Sequence, residues 1–380
     1  CRLQHLAIIW RGGSRSGEPR SDMLRILPAS ALACLDTNSV MTLTLHSIPA
    51  AGWPSVAAEF RDQTFEQTKE YAAPAAARVG GQARYLTIEE GSTLVAAAAL
   101  RVKILPVLGR GIAWCPSGPL LLPRAGGIPD EGRLESILIA LRRQITLQEG
   151  HILRLRLSGL SGLPPETVAR AAAAAGFSRG PGQPYCSIAL DLSQDDTTLM
   201  RQLDGKWRTD LRFAQKSDLT LERGTGPGLE KRFMAMFEAT KAQKGFQPDI
   251  PPQFHFPFDG PGYSVETMIA TRDRQDLAGI VVGYCPGSAT YLFGATTLAG
   301  RQLRAGYFLQ WAALEQARKR GCLWYDLGGI DAETNPDVTR FKTRMNGVPL
   351  LAEVWQAGRP GLLTPLILGL ESLRQRRKRQ

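Results

Sequence analysis

The chain has 380 residues, of which 43% are hydrophobic, and it carries a formal net charge of +11. This size and apolar content suit two modest domains rather than one. No apolar run of about 18 residues is free of charge, so a soluble protein without a transmembrane helix is expected. The positive charge favours polyanionic partners such as nucleic acid, phosphorylated substrates or an anionic membrane surface.

Cysteine and histidine usage argues against metal and disulfide chemistry. The six cysteines are scattered without C-x-x-C spacing, which fits a reducing compartment. The four histidines are isolated from one another, so neither a histidine-based metal site nor a Ser-His-Asp arrangement is visible. We therefore expect no metal and a cytoplasmic location.

Residues 1–40 are predicted to be an upstream extension that contributes little to the fold. The stretch is rich in Gly, Ser and Arg and has no clear periodicity, so it offers little apolar area to bury. Met41 opens the first segment with a regular pattern. The sequence MLRILPASALACL is too short for a spanning helix, and a cleaved export signal remains the alternative.

From Met41 onward, helices and strands alternate in a mixed α/β pattern. Residues 58–76 predict a helix that ends near Pro74, and residues 84–104 predict two strands joined across EEGS. The next apolar stretch, GIAWCPSGPLLLP, contains prolines that predict an edge or bulged strand.

An amphipathic helix that ends at Gly150 follows, and then a strand, a helix and another strand complete the first unit. We assign this unit to residues 41–200. The second unit, residues 201–357, begins with a basic helix at 197–218. It continues through a helix, antiparallel strands, a further helix and the strand LWYDLGG.

The last segment, residues 358–380, is predicted to be a basic tail. The sequence RQRRKR directly follows the apolar stretch LLTPLILGL, a combination typical of a surface-seeking amphipathic helix. A solvated tail without a membrane role is the alternative.

Three stretches of the second unit resemble one enzyme family. They are KWRTDLRFAQKSDLTL (206–221), residues 291–331, and TRFKTRMNG (339–347). Together they resemble the Fem (FemABX) peptidyltransferases, which add amino acids from aminoacyl-tRNA to peptidoglycan precursors. The resemblance implies an α/β fold with mixed sheets, in which two tandem GNAT-like domains face a central cleft. No long charged heptad-like insertion is present, so a compact form without the coiled-coil arm is expected.

The resemblance also implies a catalytic site at the break after the strand LWYDLGG. Lys342 matches the family's catalytic-site lysine and would stabilise the oxyanion that forms during acyl transfer. Asp326 and Asp331 flank the break and are candidate catalytic carboxylates, although either could instead satisfy turn amides. Gly328 and Gly329 would turn backbone N–H groups toward a ligand, or form an ordinary turn.

Substrate-binding candidates surround this break and the basic helix. They are Tyr325, Gly328, Gly329, Phe341, Tyr307, Arg304, Lys206, Arg208, Arg212 and Lys216. Because the cations at 208, 212 and 216 share one helical face, they are expected to meet an anion such as tRNA, unless the face is simply solvated.

The turn before the helix at Gly306 bears on the acyl donor. A GNAT protein that binds acyl-CoA usually carries a Q/R-x-x-G-x-G/A loop that cradles pyrophosphate. Here RQLRAGY places Arg304 where the first of those glycines should lie. The sequence thus favours aminoacyl-tRNA as co-substrate over acetyl-CoA or another acyl-CoA, with no further cofactor.

Fem members that take nucleotide-linked muropeptides hold the diphosphate of this acceptor with a lysine early in the first domain. In this chain an alanine of the segment QTKEYAAPAAARVG occupies the corresponding place, and Lys69 and Arg78 are nearby candidates to replace the lysine. We therefore expect a nucleotide- or lipid-linked muropeptide, or a different amine. The leading hypothesis is a tRNA-dependent aminoacyltransferase of cell-wall cross-bridge formation, acting in the cytoplasm or at the inner face of the plasma membrane. An acyl-CoA-dependent GNAT N-acyltransferase and a non-enzymatic RNA-binding module are the alternatives.

Overall fold

In the computed structural model of the chain, the described residues are 43–245, 248–361 and 363–379, with side chains omitted at 244 and 373–379. The prediction for residues 1–40 lies outside this part. The described strands are β1 Leu43–Ile48, β2 Gln82–Glu90, β3 Thr93–Leu105, β4 Arg110–Pro116, β5 Ile152–Arg156, β6 Ser178–Arg179, β7 Tyr185–Asp191, β8 Thr220–Gly224, β9 Ser264–Arg272, β10 Gln275–Tyr284, β11 Ser288–Thr296, β12 Trp324–Asp326, β13 Val348–Ala352 and β14 Trp355–Ala357.

Helices cover both faces of these strands. The described α-helices are α1 Trp53–Ala58, α2 Lys69–Arg78, α3 Glu131–Leu141, α4 Pro165–Ala174, α5 Asp196–Gln202, α6 Gly205–Gln215, α7 Pro227–Lys244, α8 Leu298–Gln302, α9 Ala305–Lys319, α10 Pro336–Thr343 and α11 Leu363–Arg379. A π-helical turn, Arg142–Gln148, extends α3. None of the described helices is long and apolar enough to cross a membrane.

The described strands form two seven-stranded sheets. The first has the order β1-β2-β3-β4-β5-β14-β6, and the second has the order β13-β7-β12-β11-β10-β9-β8. Only the β4–β5 and β11–β12 pairs of the described ladders are parallel. The predicted α/β class with mixed sheets is therefore confirmed.

The two sheets exchange strands across the predicted division at residue 200. β7 precedes that position but joins the second sheet, between β13 and β12. β14, the last strand, joins the first sheet between β5 and β6. The assignment of 41–200, 201–357 and 358–380 to separate segments stays a prediction.

Each sheet buries a hydrophobic core against helices. In the first sheet, α3 and α4 cover one face, and the amphipathic pattern predicted for α3 is confirmed because Leu134, Ile137, Leu138 and Leu141 are buried. The opposite face carries α2. In the second sheet, α6 and α9 cover one face around Trp207 and Leu309, whereas α7 covers the other with Phe233.

Three local predictions are wrong. The helix predicted over residues 58–76 begins only at Lys69 and continues past Pro74 to Arg78, with Pro74 exposed on its outer side; residues 59–68 are not α-helical. β4 is not an edge strand but an interior one, because it pairs with β3 on one side and with β5 on the other. Pro116 is its last residue, and Pro119 follows the strand, so neither proline interrupts the pairing. The basic helix is divided into α5 and α6 at Asp204, whose carboxylate caps α6 by accepting from the N–H groups of its first turn.

Because β14 lies inside the first sheet, we expect the stability of that sheet to depend on it. Trp355 is 4% exposed within the core of this sheet, and the Arg179 guanidinium lies 4.2 Å from its ring centroid. We expect Trp355→Ala to lower the free energy of unfolding by about 3–5 kcal/mol. Leu351→Ala on β13, at a side chain that is 45% exposed, should cost less than about 1 kcal/mol. Urea denaturation measures both, and similar losses would contradict the assignment.

Candidate active site

The site lies where β12 separates from β11. The two strands pair in parallel over three residues, as far as Thr290 and Asp326. β11 then continues to Thr296, whereas the chain after Asp326 stays with β7, to which Leu327 and Ile330 donate backbone hydrogen bonds of 2.9 and 2.8 Å. A gap therefore opens between β11 and residues 327–330.

Gly328 makes this separation possible. Its φ is +70°, and a Cβ placed there would lie 2.4 Å from the Tyr291 carbonyl oxygen. A side chain is therefore excluded both by conformation and by space. Gly329 has no atom nearer than 4.0 Å to its Cβ position and an ordinary φ. Only the first glycine of the pair is required by the backbone.

The ammonium group of Lys342 occupies the gap. Its Nζ donates to the carbonyl oxygens of Gly329 at 2.8 Å and Gly328 at 3.3 Å, and it lies 5.2 Å from the ring centroid of Tyr291. Burial lowers the pKa of Lys342 to about 8, although the Asp326 carboxylate opposes this shift. The group is thus a buried cation that can exchange a proton near neutral pH.

Lys342 reaches this position from a helix. It lies on α10, which begins at Pro336, after the turn that contains Asp331. The side chain is 6% exposed even though the helix carries several exposed polar neighbours. The predicted basic and aromatic segment after the break is therefore helical, and it directs its lysine into the gap.

Asp326 holds the turn around the gap. One carboxylate oxygen accepts hydrogen bonds from the Ser187 hydroxyl and from the Gly328 N–H at 2.9 Å, and the other accepts from the Tyr185 hydroxyl at 2.9 Å. Burial raises the pKa of Asp326, while these donors and Lys342 act in the opposite direction. Its contacts suit a group that positions the turn and compensates the lysine charge.

Asp331 has a different environment. It is exposed and accepts from the N–H groups of Glu333 and Thr334 and from the Thr334 hydroxyl. The hydrogen bonds from Thr334 lower its pKa. The structure gives Asp331 the turn-satisfying contacts that were the alternative to a catalytic role.

An aromatic cluster stands beside Lys342. The Phe341 ring centroid lies 4.9 Å from that of Tyr307 in an edge-on arrangement, and Trp207 is 5.0 Å from Tyr307. Tyr325, in contrast, is fully buried and donates its hydroxyl to Gln310 at 2.7 Å. Phe341, which precedes Lys342 in the chain, and Tyr307 are therefore partly buried members of this cluster, whereas the Tyr325 side chain belongs to the core.

Arg304 joins this cluster to α6. It precedes α9 in the left-handed conformation, with φ 58°, and its Nε donates to Asp210 at 3.0 Å. Lys206 also approaches Asp210, at 3.7 Å. Arg304 thus directly precedes α9 and is held by its side chain to a neighbouring helix.

The other cations of α6 separate into two groups. Arg208 donates to the carbonyl oxygens of Arg201 and Leu203, which ties α6 to the end of α5. Arg212 and Lys216 are exposed. The predicted basic face is therefore partly a structural contact and partly open surface.

A polar network that was not predicted from the sequence leads from Asp326 to the first sheet. The Arg156 guanidinium lies 5.1 Å from the Tyr185 ring centroid and forms an ion pair with Glu66. Arg101 is 3.7 Å from the same carboxylate. Burial alone would raise the pKa of Glu66, but Arg156 and Arg101 outweigh it and hold that pKa below its usual value.

A sequence signal for part of this network exists. Tyr185 and Ser187 alternate on β7, so both face the same side of the strand, and Arg154 and Arg156 do the same on β5. Polar residues at alternate positions of otherwise buried strands indicate that their side chains line a binding site. Within the described residues, no group of three or more His, Cys, Asp or Glu is arranged to hold a metal ion.

Comparisons with known proteins match the site region and the fold. Residues 263–349, which contain β11, β12 and α10, match the model of the FemAB family. The crystal structure of FemX superposes with a TM-score of 0.70 at 14% identity, covering 86% of this chain and 100% of that one. These findings confirm the predicted resemblance and show a FemX-like fold.

More distant structures were also found. They are the C-terminal domain of a putative lysylphosphatidylglycerol synthetase from Agrobacterium fabrum (11% identity, 85% of this chain, 96% of that chain, TM-score 0.49) and a tandem GNAT protein from the clavulanic acid biosynthesis pathway (16%, 84%, 100%, 0.43). Their low TM-scores add no argument here. A search of curated protein sequences found no match.

The two glycines of the break provide a matched test. Because Gly328 has φ +70° and a blocked Cβ position, Gly328→Ala should lower the free energy of unfolding by about 1–3 kcal/mol. Gly329→Ala should change it by less than about 0.5 kcal/mol. Urea denaturation of the two variants decides this, and equal stabilities would show that the backbone does not require Gly328.

The buried lysine predicts a pH-dependent stability. Its pKa is about 8 in the fold and 10.5 ordinarily, so between these values the unfolded chain binds more protons than the folded one. The stability of the wild type relative to Lys342→Met should therefore rise from pH 8 to pH 10, by up to roughly 1.4 kcal/mol per pH unit.

The control for that measurement is the exposed Lys231 on α7. The wild type and Lys231→Met should show a constant difference in unfolding free energy over the same range. A flat difference for Lys342→Met as well would mean that Lys342 titrates normally.

Proposed function

We propose that this chain, of Fem type by its FemAB segment and its fold, is an aminoacyltransferase. It transfers an aminoacyl group from tRNA to an amine of a peptidoglycan precursor, as in the formation of cell-wall peptide cross-bridges. The observation that carries the proposal is the Lys342 ammonium, buried in the gap beside β11.

The geometry of Lys342 suits an acyl transfer. An ammonium has three N–H donors, and the carbonyl oxygens of Gly328 and Gly329 accept two of them. The third can donate to a substrate carbonyl oxygen that becomes negative as the acceptor amine attacks. Asp326 and Gly328 fix this arrangement by holding the turn in place.

The reaction forms one C–N bond and breaks one C–O ester bond. The amine loses a proton, and the departing tRNA hydroxyl gains one. With a pKa of about 8, Lys342 can give its proton to the departing oxygen and regain one from the amine. Asp331 has no step in this scheme, because its oxygens serve the turn.

Arg304 supports aminoacyl-tRNA rather than acyl-CoA as the donor. Arg304 directly precedes α9, and its side chain is anchored to Asp210 of α6. A GNAT protein would expose bare amides to pyrophosphate at this turn. Arg212 and Lys216 are exposed on α6 and can meet tRNA phosphates. No cofactor beyond this co-substrate is proposed.

The catalytic lysine is tested by substitution. Lys342→Ala should lower kcat by about 100-fold or more, the scale of losing one oxyanion donor. Lys342→Arg should restore only part of it, because a planar guanidinium does not place its charge where an ammonium does. Lys231→Ala, at an exposed position on α7, serves as the control, and full turnover by Lys342→Ala would refute the role.

The donor and acceptor are identified in one assay. The full chain is incubated with mixed aminoacyl-tRNAs and with nucleotide-linked or lipid-linked muropeptide, and products are weighed by mass spectrometry. A mass increase of one amino-acid residue that disappears after ribonuclease treatment supports the proposal. Transfer from acetyl-CoA, or a higher Tm with acetyl-CoA, would instead support an N-acyltransferase.

A further inference from the structure

A cavity of about 500 Å³ lies against the first sheet, away from the Lys342 gap, and it shares Arg101 and Arg154 with the polar side chains described above. It is bounded by β3, β4, α2 and the C-terminal helix α11, and its walls are mainly aliphatic, with Val79, Leu105, Ile112, Ile367 and Leu370 among them. Volumes of about 300–1,000 Å³ are typical of small-molecule sites. None of the four cations Arg208, Arg212, Arg304 and Lys342 lines it.

One wall of the cavity carries an arginine with unused donors. The Arg101 side chain is 12% exposed, and the nearest carboxylate, that of Glu66, is 3.7 Å away. Its Nε and Nη2 are buried and make no hydrogen bond in the described structure. Since buried polar groups are nearly always paired, these donors indicate a missing acceptor.

Arg154, on another wall, differs from Arg101. It donates to Glu371 of α11 at 2.6 Å and to Gln356 at 2.6 Å. This pair fastens α11 over the cavity. Arg78 also lines the cavity, but it is exposed and donates to the Asp249 carbonyl oxygen at 2.7 Å. Among these three arginines, Arg101 is the one with buried donors that make no hydrogen bond.

We propose that this cavity binds the hydrocarbon chain of an anionic lipid, with a head-group oxygen on Arg101. Aliphatic walls suit an alkyl chain, and the single indole ring among the lining residues, Trp114, offers little for stacking a nucleotide base. The inference goes beyond the proposed function, because it requires neither aminoacyl-tRNA nor the Lys342 chemistry.

The source of the lipid is a membrane surface. On α11, Leu363, Leu366 and Leu370 recur on one side and are 47%, 49% and 43% exposed. Leu370 also lines the cavity, so this apolar stripe meets its wall. Val107, in the turn after β3, is 97% exposed. Exposed apolar side chains along one side of a helix are typical of a lipid-contacting surface.

Binding is measured by isothermal titration calorimetry of the full chain with dodecyl phosphate below its critical micelle concentration. The expected result is saturable binding of one molecule per chain. Inorganic phosphate should give no binding at the same concentrations, and dodecyl maltoside should bind at least about tenfold more weakly, because it lacks the charge that Arg101 would meet. Equal binding of the charged and neutral amphiphiles would overturn the assignment of Arg101.

Adjacent residues of β3 supply a matched pair of variants. Leu105 lines the cavity, whereas Ile104 faces the other side of the strand and is 49% exposed. Leu105→Trp should weaken dodecyl phosphate binding about tenfold or more by filling the cavity, and Ile104→Trp should leave it unchanged. Equal affinities for these two variants would overturn the proposed site.

The charge is tested by Arg101→Met, which keeps the aliphatic stem and removes the guanidinium. It should weaken dodecyl phosphate about tenfold or more and leave dodecyl maltoside unchanged. Arg143→Met, at an exposed residue after α3, is the control. If circular dichroism shows that Arg101→Met does not fold, the wild-type affinities still test the charge. They show whether the cavity binds dodecyl phosphate more tightly than dodecyl maltoside.

Discussion

Where two parallel strands separate, their facing backbone groups lose the partners that the ladder supplied, and buried groups must find others. In this protein, β12 leaves β11 after Asp326, and the carbonyl oxygens of Gly328 and Gly329 turn to the ammonium of Lys342. Burying that cation costs free energy, which the two carbonyls and the Asp326 carboxylate offset. The ammonium that fills the gap is also the group on which the proposed acyl transfer depends.

The gap is also connected to the first sheet through side chains. Asp326 accepts from Tyr185, whose ring lies under Arg156, and Arg156 pairs with Glu66. Glu66 is held ionised by two guanidinium groups despite its burial. A displacement of β5 relative to β7 would therefore disturb the hydrogen bonds of Asp326, so the position of the first sheet and the geometry at Lys342 are physically coupled.

The break and its lysine could be predicted from the sequence because they depend on neighbours in the chain. A glycine pair after a buried strand indicates a change of direction, and the resemblance to the Fem family points to Lys342 in the segment that follows. Tyr185 and Ser187 could not be placed, since β7 reaches Asp326 only through an antiparallel pairing across more than a hundred residues. Tyr325 was misplaced for a related reason, because alternation along a strand of three residues does not reveal which face is buried.

The basic helix illustrates a second limit. Its cations recur at helical spacing, yet α5 ends at Gln202 and Asp204 caps α6. Arg208 donates to carbonyl groups at the end of α5. Sequence periodicity predicts which side of the helix carries the cations, but it does not predict which carbonyl groups accept hydrogen bonds from them.

The exchange of strands has a consequence for folding during synthesis. β14 pairs with β5, about two hundred residues earlier in the chain, and it separates β5 from β6. The first sheet therefore remains open at β5 until residues 355–357 have left the ribosome, and its unpaired backbone stays available to other chains in the meantime. Such distant pairing also slows folding, because a long loop must close before the contact is gained.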